Sequence, residues 1–63
     1  MKETIVHTKH IEIEKRENKK TIYFVVWYKN DLGMIRGFNR FHTADDAFAS
    51  AVAYITGRYA KCR

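Results

Sequence analysis

Sixty-three residues make one domain, close to the smallest size that folds without a disulfide or metal staple. A 46% hydrophobic, 30% charged composition excludes a disordered tail, and a net charge of +5 favours a polyanion over an acidic target as partner. The lone cysteine, Cys62, excludes an intrachain disulfide. Residues 1–6 lack the apolar core of a signal peptide, and no apolar run approaches the ~20 residues of a bilayer span, so the expectation is a soluble, cytoplasmic protein without membrane contact.

The first strand is expected over about residues 4–16. Ile11-Glu12-Ile13-Glu14 alternates as a strand with one core face does. Upstream, the adjacent Ile5 and Val6 break the alternation, which predicts a bulge or a strand start near Thr8-Lys9. The polar break Glu17-Asn18-Lys19-Lys20 reads as a hairpin turn. A second strand over 20–29 carries Thr21-Ile22-Tyr23-Phe24-Val25-Val26-Trp27-Tyr28-Lys29, apolar at both odd and even positions. It is therefore covered on both sides or offers an apolar side to a partner.

Asn30-Asp31-Leu32-Gly33 supplies turn residues, with Gly33 suited to positive φ, and a third strand follows over 34–41. Thr43-Ala44-Asp45-Asp46 opens a helix over about 44–58, with Thr43 as the N-cap and two aspartates at the positive end of the dipole. Its apolar stripe reads Ala44, Ala47, Phe48, Ala51, Val52, Ile55 and Tyr59, and the opposite side is rich in small residues such as Ala49, Ser50 and Ala53. A basic tail over 58–63 suits the helix C-terminus. The fold class is α+β, a three-stranded antiparallel meander with one C-terminal helix packed on one face.

A two-residue turn at Asn18-Lys19 sets Ile13 opposite Phe24 and Ile11 opposite Val26. A four-residue second loop sets Ile22 opposite Phe41, Val26 opposite Gly37 and Tyr28 opposite Ile35; the competing three-residue loop would bury two arginines at a cost of several kcal/mol. The expected core is Ile11, Ile13, Ile22, Phe24, Val26, Ile35 and Phe41 against Ala47, Phe48, Ala51, Val52 and Ile55, with Gly37 allowing a close helix approach. The other face carries His10, Tyr23, Val25, Trp27, Lys29, Met34, Arg36, Phe38 and Arg40, with Glu12 and Glu14 at its edge.

Arginines interleaved with aromatics on a sheet are the ingredients of a nucleic-acid surface: guanidinium groups fork onto phosphate or guanine, and rings pack on bases. The candidate binding residues are Lys29, Arg36, Arg40, Trp27, Tyr23 and His10, with duplex DNA as the expected target. The alternative is a protein-interaction or homodimerisation surface built from Tyr23, Val25, Trp27, Met34 and Phe38.

The Arg-Gly-Phe of the third strand and the junction Phe41, Thr43, Ala47, Ala51 resemble the small arm-type (AP2-like) DNA-binding domains of tyrosine integrases. That resemblance implies DNA contact through Lys29, Arg36 and Arg40 beside Trp27 and Tyr23, in a free-standing phage or prophage accessory factor. The two glutamates and the long first strand depart from the family's pattern.

Catalysis is not expected. His7 and His10 have opposite parity on a regular strand, so they do not converge with His42 and Cys62 on a metal. There is no glycine-rich phosphate loop and no nucleophile beside a positioned base, so neither a cofactor nor a small-molecule substrate is expected.

Overall fold

The computed structural model describes residues 2–59, without the side chains of Arg58 and Tyr59; Cys62 and the tail beyond 59 lie outside the described residues. The elements are β1 (Lys2–His7), β2 (Ile11–Glu17), β3 (Ile22–Lys29), β4 (Ile35–Phe41) and α1 (Ala44–Tyr59). The class is α+β, but the antiparallel sheet has four strands, in the order β1-β2-β3-β4, rather than three. The expected first strand is a hairpin. Thr8 makes the corner: its amide donates to the Ile11 carbonyl at 2.8 Å, and its hydroxyl accepts from the Ile11 amide at 3.0 Å. The broken alternation at Ile5-Val6 is a bulge, since Thr4 pairs with Glu14 and Val6 with Ile13, leaving Ile5 as the extra residue.

Both later turns are longer than expected, because asparagine side chains stabilise them. The Asn18 carboxamide oxygen accepts the amides of Lys20 and Thr21, so residues 18–21 form the loop and Ile13 faces Val26 rather than Phe24. The Asn30 oxygen accepts the amides of Leu32 and Met34, and Gly33 takes the expected positive φ of 81°. Phe41 consequently pairs with Phe24, Asn39 with Val26 and Gly37 with Tyr28. At the loop end β4 advances from Gly37 to Ile35 while β3 advances only from Tyr28 to Lys29, so Arg36 is a bulge residue.

The helix begins as expected, with the Asp46 amide donating to the Thr43 hydroxyl at 3.1 Å. It packs on β3 and β4 through a rotated stripe. Ile11, Ile13, Val26, Ala47 and Ala51 are buried, and Val6, Phe24, Tyr28, Phe41, Tyr54 and Ile55 pack around them. Four expected core residues stand outside. Ile35 is 59% exposed because the bulge sets it opposite Lys29, on the other side of the sheet. Val52 is 62% exposed, and Phe48 and Ile22 are also on the surface.

The rotation has a polar cause. The Tyr54 hydroxyl donates to the Lys29 carbonyl at 2.6 Å, the Tyr28 hydroxyl bonds Ser50, and the two tyrosine rings meet at 4.9 Å. Ser50 and Tyr54 therefore turn toward the sheet, and the small Ala47 and Ala51 form the contact line. A Cβ at Gly37 would meet no atom within 4 Å, so close helix approach is not why glycine stands there.

Ile13→Ala should destabilise the fold by about 2–5 kcal/mol in urea titration, whereas Val52→Ala should cost less than about 0.5 kcal/mol. Equal losses would contradict the rotated stripe.

Candidate nucleic-acid interface

The side of the sheet away from α1 is laid out in cross-strand rows. Lys2, Arg16 and Tyr23 form the first; Thr4, Glu14, Val25 and Arg40 the second; His7, Glu12, Trp27 and Phe38 the third; and Lys29 with Ile35 the last. Successive rows lie about 6.8 Å apart, two strand residues each. Read along the strands, β2 contributes the acids, β3 the aromatics, and β4 arginine with phenylalanine.

Glu12 and Glu14 are not at an edge, because β1 lies outside them. Glu14 is only 8% exposed, and its Oε1 accepts three bonds: from Arg16 Nη2 at 2.8 Å, Arg16 Nε at 3.2 Å and Trp27 Nε1 at 3.2 Å. Burial pushes the Glu14 carboxyl up, but the bonds from Arg16 and Trp27, with the charges of Arg16 and Lys2, outweigh it and hold the group below the usual carboxylate range. The same bond to Glu14, and one to Tyr23, raise the Arg16 guanidinium further.

The expected contact residues fare differently. Lys29 is nearly buried: its Nζ lies 3.5 Å from Glu12 Oε1 and 3.5 Å from the Thr8 carbonyl, which commits the charge inside the sheet. His10 sits in the β1–β2 corner rather than on the face, its Nε2 3.8 Å from Asp31 of the β3–β4 loop. Val25 is 2% exposed, so it gives no surface to a partner and instead forms the buried centre of this face.

Tyr23 with Arg40, and Trp27 with Phe38, come together as two pairs. The Arg40 guanidinium lies over the Tyr23 ring, 5.7 Å from its centroid, and the Trp27 and Phe38 rings meet at 5.0 Å with a 42° tilt. Phe38 is 50% exposed, Arg36 and Arg40 are exposed, and Met34 and Leu32 stand on the loop beside them. Among the described residues, no ion pair ties Arg36 or Arg40 to a carboxylate. Sequence reasoning missed Arg16, which lines a groove with Lys2, Glu17, Asn18 and Tyr23 at the turn end of the face. The signal was present: Glu14 and Arg16, two apart on one strand, share a face.

Among the described residues no group of three His, Cys, Asp or Glu is placed to hold a metal ion, and no helix is long and apolar enough to cross a membrane. Comparison with protein families, with curated proteins and with solved structures returns no match.

Because the folded state holds Glu14 below its ordinary range, the unfolded chain binds more protons across that window. Stability is therefore complete above the ordinary glutamate pKa of about 4.3 and is lost as pH falls through the lower folded value. In Glu14→Gln the acid limb of the urea midpoint against pH should flatten. Parallel curves for the two proteins would remove the carboxylate from this role.

Proposed function

We propose that the protein is a non-enzymatic nucleic-acid-binding factor that works through the β3–β4 half of its open sheet face. The observation that carries the reading is the pairing of Arg40 with Tyr23 beside Trp27 and Phe38, next to an exposed Arg36. Guanidinium groups and ring faces, adjacent and reachable, are what phosphates and bases are held by. The acids of β2 do not oppose this, since Glu14 is bonded by Arg16 and Trp27 and Glu12 is paired with Lys29. The likeness to arm-type DNA-binding domains points the same way and makes a phage or prophage accessory role part of the proposal.

A second reading rests on a separate observation. Leu32, Met34, Ile35 and Phe38 are all exposed along the β3–β4 loop and β4. With Tyr23 and Trp27 they would serve a homodimer or a partner protein. Strand-to-strand addition does not favour it, because both outer strands carry bulges and charges that blunt their edges. Sedimentation that finds a dimer lost on Phe38→Ala, with no oligonucleotide binding, would select this reading.

Nucleic-acid binding should weaken steeply between about 50 and 200 mM salt, through release of condensed counterions. Replacing Arg36 and Arg40 together with alanine should lower the slope of log affinity on log salt by about two, one for each phosphate contact, and leave the circular dichroism unchanged. An unchanged slope would exclude both arginines. No binding at low salt would exclude the reading itself.

A further inference from the structure

The geometry points to a single strand, not a duplex, as the nucleic acid this face takes. The inference rests on the nucleic-acid reading above and sharpens it.

Width is the first argument. Four strands span about 14 Å between outer axes before side chains are added, against a major groove about 12 Å wide that admits a helix or a two-stranded ribbon. Strand β1 is part of the same sheet, so the whole face is wider than the groove.

Charge layout is the second. A duplex presents two phosphate backbones, whereas the charges of β2 and Lys29 are already paired within the sheet and leave no second line of cations. The available basic groups instead trace one path. They run along β4 through Arg36 and Arg40 to the Tyr23 ring, while Arg16, in the groove beyond with Lys2 and Glu17, is already paired with Glu14. One backbone fits that path, with its bases directed inward onto rings.

The rings themselves are the third. Tyr23, with Arg40 over its ring, stands two rows from the Trp27–Phe38 pair, where the half-exposed Phe38 offers a stacking surface. Ring faces serve unpaired bases, which expose their own, and not bases locked in a duplex. Trp27 is held for this use: its Nε1 bond to Glu14 Oε1 at 3.2 Å fixes one edge of the indole to the sheet.

The test uses the full chain with a fluorescein-labelled oligothymidylate of about 12 nucleotides and the matching duplex, at low salt, by anisotropy. The single strand should bind at least about tenfold more tightly than the duplex. It should quench the emission of Trp27, the only tryptophan. Phe38→Ala, half exposed and so compatible with folding, should lose about tenfold for the single strand and little for the duplex.

Duplex binding as tight or tighter would overturn the inference while leaving the nucleic-acid reading in place. Polyphosphate competing as well as the oligonucleotide, without quenching of Trp27, would also overturn it, since bases would then contribute nothing. No binding of either form would remove both.

Discussion

One carboxylate oxygen orders the exposed side of this small protein. Glu14 Oε1 gathers a guanidinium from its own strand and an indole from the next, in a position almost sealed from solvent. An unpartnered carboxylate there would be expelled or protonated, because water cannot reach it to share its charge. The three bonds resolve that problem and place the indole at the same time. They also sort the face: Glu12, Glu14 and Arg16 of β2 are paired within the sheet, and what lies toward β4 remains for a partner.

The helix side rests on a similar use of polar groups to aim apolar ones. Tyr54 reaches the Lys29 carbonyl and Tyr28 reaches Ser50, so the tyrosines choose which flank of a broad apolar stripe meets the sheet. The result is a core of modest side chains, Ile11, Ile13, Val26, Ala47 and Ala51, with larger ones around its rim. Fully burying an isoleucine or valine contributes about 1.5–3 kcal/mol. A chain of this size has few such residues, which is why the loss of one weighs heavily.

Faces were legible in the sequence where register was not. Both hairpins are displaced from expectation by an even number of residues, and an even slip returns every side chain to its own side. Hence Val26 and Ile13 are in the core and Arg40 is outside, although each has a different neighbour from the one expected. What could not be read was the work of single side chains. Asn18 and Asn30 lengthen their turns through carboxamide bonds that composition alone does not reveal. Thr8 closes a corner inside a stretch that patterns as one strand. The bulge at Arg36 then moves Ile35 across the sheet. On the candidate interface, Tyr23, Trp27, Phe38 and Arg40 were visible by parity. Lys29 was not legible as buried, because a three-stranded sheet sets its partner Glu12 on an edge.

Strand order in the sheet repeats strand order in the chain, and the helix comes last. Each ladder thus closes only a short loop, the arrangement that keeps the entropic barrier to assembly low. Hairpins of this kind zip within about 1–10 μs. On a ribosome, where synthesis runs from β1 toward α1, each strand emerges after the neighbour it pairs with. The helix arrives to cover a surface that its own template has already built.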